Sequence, residues 1–143
     1  MVEEAGLDAK KAVAELDGSR CFACGPEHPR GLRLHFVTTE DGAMSAEWTP
    51  TSDLEGYGGI VHGGIVSTVL DEAMAKVVAA AGLQALTAEL RVRFRQQTPS
   101  GAPLRIRGWI ASRKRRMIQT EAASLAADGS ELAHAWAVFL PVA

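Results

Sequence analysis

Residues 58–75 read GGIVHGGIVSTVLDEAMA, and this stretch decides the fold. Four glycines surround His62, after which apolar side chains recur every three or four residues as far as residue 81. That spacing predicts one long helix over 65–81, ended by Gly82. At about 1.5 Å per residue the helix is roughly 25 Å long. It is mostly apolar, yet it carries two adjacent acids, Asp71 and Glu72.

The segments on either side of this helix alternate as strands do, and an Asp-Gly pair at 41–42 is typical of a hairpin turn. Six strands are predicted, at 32–39, 43–49, 87–96, 104–112, 117–126 and 131–140. A long apolar helix has to be covered on several sides, and an antiparallel sheet is the only material left to cover it. The sequence therefore predicts an α+β fold with a curved antiparallel sheet of five or six strands round a central helix.

Length and composition fit one compact domain over residues 1–143, in which 1–31 form a short helix (3–17) and an irregular loop. No unbroken apolar run reaches about 18 residues, and the first fifteen residues are charged throughout. We therefore expect a cytoplasmic protein with no membrane partner. Cys21 and Cys24 are too few for a disulfide scaffold, so reduced thiols are expected.

The CxxC pair lies close in sequence to His28 and His35, which raises the question of a zinc site. The usual second CxxC or HxxxH pair is missing, so no metal site is predicted. A redox role is disfavoured, because the pair does not lie in a thioredoxin-like βαβ pattern. His134 alternates with apolar residues on the last strand. It is predicted to be a packed histidine with a hydrogen-bond partner.

Basic residues are concentrated in one part of the chain. Nine lie between Leu90 and Thr120 with no acid among them, although acids slightly outnumber bases overall. They either grip an anionic ligand such as a phosphate or form the solvated outer face of the sheet. Nucleic acid is disfavoured, because no interleaved aromatic residues accompany the charge. The candidate phosphate contacts are Arg91, Arg113, Arg115 and Arg116.

The acids on the helix also have two interpretations. They belong to an ordinary solvated face, or Asp71 is a partly desolvated carboxylate on the strip of small residues Ser67, Thr68, Ala75 and Ala79. The His-Gly-Gly before the helix favours the second, because unpaired N–H groups in the first turn can polarise a carbonyl. Together these features indicate acyl transfer to water.

The segment HGGIVSTVLDEA closely resembles the motif of hotdog-fold acyl-CoA thioesterases of the phenylacetate-degradation type, in which an acid follows the histidine by nine positions. LTAELRVRFRQQTPSGAPL resembles that family's strand after the helix, and AADGSELAHAWAVFLP resembles its final hairpin. CFACGPEHPRGLRLHF is similar to the opening of a subgroup. The resemblance extends over most of the chain and implies the hotdog fold.

The resemblance also implies roles for particular residues. Asp71 is the general base or nucleophile, the Gly63 N–H polarises the thioester carbonyl, Thr87 positions water or substrate, and His62 fixes the loop. Further substrate contacts are expected from Gly64, Tyr57 and Glu72 and from the four arginines named above. The site lies between protomers of a homodimer or a dimer of dimers. No cofactor is implied, since coenzyme A is part of the substrate.

One position departs from the family pattern. Many relatives have Asn or Gln six residues before the histidine, whereas this chain has Gly56. Loss of one oxyanion donor costs about 10² to 10³ in rate. Two hypotheses on the same fold therefore stand side by side: hydrolysis of an acyl-CoA to a carboxylic acid and free coenzyme A, and acyl-CoA binding without turnover by a sensor. Nucleic-acid binding through the basic strands is a third.

Overall fold

The computed structural model describes residues 18–142. The elements are β1 (Val37–Thr38), β2 (Met44–Trp48), a 3₁₀ turn (Ser52–Leu54), α1 (Gly63–Ala80), β3 (Ala85–Phe94), β4 (Leu104–Lys114), β5 (Met117–Ala126) and β6 (Glu131–Pro141). The six strands form one curved antiparallel sheet with α1 on its concave side. The predicted α+β hotdog architecture is confirmed.

The strand order in the sheet is β1-β2-β4-β5-β6-β3. The chain therefore leaves β2, forms α1, and returns to the far edge of the sheet as β3 before the meander β4-β5-β6 fills the middle. The other side of β3 has no strand from residues 18–142 beside it. This ten-residue strand thus presents an open edge.

The core lies between α1 and the inner face of the sheet. On β6 every second residue is buried, and those residues are mostly alanines, which let the helix come close to the strand. The helix residues in this core are Val66, Val69, Leu70, Ala73, Met74, Val77 and Val78. Their sheet partners include Ile106, Ile118, Ala122, Ala133, Ala135, Ala137 and Phe139.

Helix and sheet approach most closely where α1 crosses β4. A Cβ atom placed on Gly108 would lie 2.7 Å from the Ala73 carbonyl oxygen and 3.0 Å from the Ala73 Cβ. Both residues are buried. Only glycine therefore fits at residue 108 while the helix backbone stays where it is.

Several predicted boundaries differ by one or more residues from those observed, and two of these differences have a clear cause. The first strand was expected over 32–39, but only Val37–Thr38 pair with the sheet. The backbone N–H groups of Leu32 and Leu34 instead donate to the carbonyls of Phe22 and Ala23, so this segment pairs with the CxxC loop. The central helix begins two residues earlier than expected, at Gly63, because His62 caps it.

Strand β3 contains a bulge that the sequence pattern did not predict. Thr87 pairs with Phe139 and Glu89 pairs with Val138, so Ala88 is an extra residue. Cross-strand partners share a face of the sheet. Thr87 therefore lies on the inner face with Phe139, whereas Glu89 lies on the outer face, although uninterrupted alternation would place both on the same side.

The predicted N-terminal helix over 3–17 lies outside the described residues. Among residues 18–142 the only α-helix, α1, lacks the combination of length and apolar character that a membrane crossing requires.

We expect Gly108→Ala to lower the free energy of unfolding by about 1–3 kcal/mol, because the new methyl group forces the helix away from β4. Chemical denaturation measures this. Gly58→Ala is the matched control, since a Cβ atom at Gly58 meets no heavy atom within 4 Å. Equal stability of the two variants would contradict the importance of this contact.

Candidate active site

The N-terminus of α1 offers one free backbone donor. The His62 Nδ1 accepts a hydrogen bond from the Gly64 N–H at 2.9 Å, and the His62 carbonyl accepts from Ile65 and Val66. The Gly63 N–H has no acceptor within residues 18–142. It therefore remains available to an oxygen of a ligand at the positive end of the helix dipole.

A cavity of about 540 Å³ opens beside this donor. Its walls include Gly56, Tyr57, His62, Gly63 and Phe94. A Cβ atom on Gly56 would lie 3.3 Å from the Cδ2 of His62, so the imidazole ring packs directly against the backbone of the loop. His62 thus fixes the loop on both sides, through this contact and through its bond to Gly64.

Asp71 lies farther along α1 and is half-buried. Its Oδ1 accepts a hydrogen bond from the Thr87 hydroxyl at 2.7 Å. Burial raises the pKa of Asp71 above its ordinary value of 3.8, and the Thr87 hydrogen bond opposes that rise only in part. A carboxylate with a raised pKa is a better proton acceptor, as a general base requires.

The strip of small residues around Asp71 is only partly covered by the chain itself. Ser67, Thr68 and Ala75 are half-buried, and Ala79 is exposed. The two hydroxyls donate to the carbonyls of Gly63 and Gly64 within the helix. The strip therefore offers a smooth surface whose polar groups are already satisfied.

Gly63 and Asp71 are too far apart to act on one carbonyl within a single chain. Eight residues separate them on α1, a rise of about 12 Å, whereas a reacting carbonyl group must lie about 3 Å from both the donor and the base. The structure thus places both predicted groups on the same helix without bringing them together.

The remaining predicted substrate contacts occupy different places. Tyr57 is 84% exposed at the rim of the cavity. Glu72 lies on another side of the helix, where its Oε2 accepts from the Cys21 thiol at 3.6 Å. Gly64 has its N–H engaged by His62. Their contacts with substrate stay predictions.

Several basic residues have acidic partners on a neighbouring strand or turn. Arg95 pairs with Glu131 at 2.8 Å, Arg105 with Glu47 at 3.3 Å, and Arg107 with Asp41. Three of the nine basic residues in the run are therefore compensated by acids elsewhere in the chain. For these three arginines the solvated outer face is the better interpretation.

The four arginines predicted to contact phosphate have no ion-pair partner within residues 18–142. Arg91 stacks over Trp136 at 4.5 Å from the ring centre. Arg113 lies near the end of β4, and Arg115 and Arg116 form the turn between β4 and β5, where Arg116 donates to the Pro141 carbonyl. This turn carries uncompensated positive charge.

The prediction for His134 is confirmed. Its Nε2 lies 2.8 Å from Glu121, its Nδ1 lies 3.1 Å from Glu131, and its ring packs against Trp109 and Trp136.

Cys24 is a poor nucleophile in this fold. Burial, with hydrogen bonds to Glu72 and Cys21, raises the pKa of the Cys24 thiol to about 12. The thiol is therefore protonated at neutral pH. This argues against covalent catalysis by Cys24.

A family model described as the thioesterase superfamily matches residues 58–133, more than half of the chain. The chain belongs to this superfamily. One thioesterase superfamily protein of known structure is 29% identical over 82% of this chain and 61% of its own, with a TM-score of 0.79.

Two further structures share the fold. The PaaI protein from the phenylacetic acid degradation operon of E. coli has a TM-score of 0.71 at 14% identity and covers 96% of this chain and 93% of its own. A protein of Streptococcus mutans solved with acetyl CoA has a TM-score of 0.70 at 20% identity and covers 76% and 87%.

Among curated proteins, an uncharacterized protein of Schizosaccharomyces pombe is 69% identical over 70 residues. The match spans 49% of this chain and 36% of the yeast protein, so the matched segment corresponds to about a third of that relative's length.

The raised pKa of Asp71 predicts a pH-dependent stability. Because the pKa is higher in the folded state, ionised Asp71 destabilises the fold above pH 3.8, and this cost disappears as the pH falls below that value. We expect Asp71→Asn to raise the melting temperature by about 2 °C at neutral pH. Glu40→Gln, on an exposed acid, is the control.

Melting curves between pH 3 and pH 8 test this expectation. The gain should shrink toward the acidic end. A gain that is the same at every pH, or a loss at neutral pH, would contradict a desolvated Asp71.

Proposed function

We propose that this protein hydrolyses an acyl-CoA thioester to a carboxylic acid and free coenzyme A. The observation that carries the proposal is the half-buried Asp71, whose carboxylate is hydrogen-bonded by Thr87 and has a raised pKa. The free Gly63 N–H supplies the electrophilic half of the same chemistry. Membership of the thioesterase superfamily supports this reaction class.

In the general-base route, Asp71 takes a proton from water as the water oxygen attacks the thioester carbon. The carbonyl oxygen becomes an oxyanion and accepts the Gly63 N–H. When the tetrahedral intermediate collapses, the carbon–sulfur bond breaks and the coenzyme A sulfur takes the proton from Asp71. No cofactor takes part in this cycle.

The alternative route is attack by the Asp71 carboxylate itself, which gives a mixed anhydride that water then opens. Single-turnover hydrolysis in ¹⁸O-labelled water separates the two routes. Only the covalent route can place the label in the Asp71 carboxylate.

A second copy of the chain completes the site in this proposal. The separation of about 12 Å between Gly63 and Asp71 requires that each pairs with its counterpart on another protomer. The open edge of β3 and the exposed side chains of Leu90 and Phe94 on its inner face support a dimer there. The strip of small residues lets the second backbone approach Asp71 closely.

The phosphates of coenzyme A are proposed to bind at the β4–β5 turn. Arg113, Arg115 and Arg116 have no acidic partner among residues 18–142, and guanidinium groups suit phosphate oxygens. Arg91 is a further candidate on the outer face of the sheet. The S. mutans structure holds acetyl CoA on a similar fold, which supports an acyl-CoA ligand.

A sensor that binds acyl-CoA without turnover is the second candidate, and Gly56 favours it. The loop offers no side-chain donor at residue 56, and the His62 ring packs against that backbone. A thioester oxygen would then accept fewer hydrogen bonds. Measuring the affinity for acyl-CoA separately from the rate of its hydrolysis distinguishes a sensor from an enzyme.

We expect Asp71→Asn to lower kcat for acyl-CoA hydrolysis by about 10² to 10⁴, because the amide cannot accept the proton. Free-thiol release from short, long and aromatic acyl-CoAs measures this, with Glu40→Gln as the control. Thiol readings are corrected for Cys21 and Cys24. Binding of acyl-CoA with no turnover by the native protein would favour the sensor.

We expect Thr87→Val to move the acidic limb of the kcat/KM profile to higher pH. The Thr87 hydroxyl lowers the pKa of Asp71, so its removal raises that pKa further, and more alkaline conditions are then needed to ionise the base. Thr87→Ser keeps the hydroxyl and should retain the native limb. A shift to lower pH would exclude Asp71 as the base.

A further inference from the structure

The CxxC loop and helix α1 together form a cluster of sulfur and oxygen ligands outside the proposed active site. The Sγ atoms of Cys21 and Cys24 and a carboxylate oxygen of Glu72 all lie within 4.8 Å of one another. All three residues are half-buried. Lys76, one turn beyond Glu72, also contacts Cys24.

The spacing in the cluster matches the ligand shell of a tetrahedral ion. In a zinc site the Zn–S and Zn–O distances are about 2.3 and 2.1 Å, so sulfur and oxygen ligands lie about 3.6 Å apart. The Cys21 Sγ lies 3.6 Å from the Glu72 Oε2. The Cys21 sulfur and the Glu72 oxygen are therefore spaced as two ligands of one tetrahedral ion are.

The loop itself is built to hold both thiols on one side. The Gly25 N–H donates to the Cys21 carbonyl at 2.7 Å, and the Cys21 N–H donates to the Gly18 carbonyl at 3.1 Å. A Cβ atom on Gly25 would lie 2.3 Å from the Cys21 nitrogen and 2.5 Å from the Ser19 carbonyl oxygen. Gly25 therefore permits a tight turn, whereas any larger residue would clash with the backbone and force the turn apart.

The charges also balance when a divalent ion is present. Binding of the ion releases the thiol protons to solvent, so two thiolates and one carboxylate then contribute three negative charges. The ion and the Lys76 ammonium contribute three positive ones. The half-buried cluster therefore has no net charge, which avoids the free-energy cost of burying one.

The histidines nearest in sequence are not part of this group. His28 accepts from the Arg30 N–H and packs edge-on against Phe22, and His35 is exposed. Within residues 18–142 no fourth protein ligand joins the three. An ion held by these three residues would take a water molecule as its fourth ligand.

We propose that Cys21, Cys24 and Glu72 bind one Zn²⁺ ion, which fastens the CxxC loop to the central helix. The loop in turn holds residues 32–34 through the carbonyls of Phe22 and Ala23. The ion thus anchors the whole segment 18–34 to α1. The ion lies on a different side of the helix from Asp71, since the Glu72 side chain diverges from Asp71 by about 100° round the helix.

The metal content of the full chain, purified under reducing conditions, tests this proposal. We expect about one zinc ion per chain by elemental analysis. Cobalt added to metal-free protein should give sulfur-to-cobalt charge transfer and the intense visible bands of a tetrahedral site. A strong chelator should lower the melting temperature and speed proteolytic cleavage within residues 18–34.

Matched variants locate the ligands. Cys21→Ser and Cys24→Ser should each reduce zinc content at least about tenfold, and Glu72→Gln should weaken binding, whereas His35→Ala should retain full occupancy. If the serine variants do not fold, Glu72→Gln and the cobalt spectrum of the native protein carry the test. Absence of metal and of cobalt bands, or a Cys21–Cys24 disulfide in the reduced preparation, would overturn the proposal.

Discussion

The close contact between Gly108 on β4 and Ala73 on α1 sets the position of everything else in this protein. With no side chain between them, the helix backbone rests directly on the sheet. The buried alanines of β6 extend the flat surface on which the helix packs. Because the helix cannot move outward or rotate without breaking this packing, the directions of its polar residues are fixed as well.

Two adjacent acids use those fixed directions differently. Asp71 lies toward β3, where the bulge at Ala88 turns the Thr87 hydroxyl inward to meet it. Glu72 lies toward the CxxC loop and its two thiols. An acid pair that looked anomalous on an apolar helix is therefore explained by two neighbouring environments, each partly shielded from water.

Much of this could be predicted from the sequence. Apolar spacing predicted the helix, alternation predicted most strands, and the resemblance pointed to Gly63 and Asp71. The bulge could not be predicted, because Thr87 has the same parity as the outward-facing Arg91, and only pairing with β6 reveals the extra residue. The proximity of Cys21 to Glu72 was equally hidden, since 51 residues separate them and no spacing rule connects a loop with a distant helix.

The helix cap at His62 and the close contact of Ala73 with Gly108 also restrict which insertions and deletions this chain can tolerate in evolution. Between them the helix has a fixed number of residues, and each residue turns the following side chains by about 100°. Between the cap and Asp71, gain of a single codon would present Leu70 where Asp71 now lies, and loss of one would present Glu72 there. The sequence can therefore diverge by point substitutions and by changes in its loops, but not by a change in the number of residues in this segment.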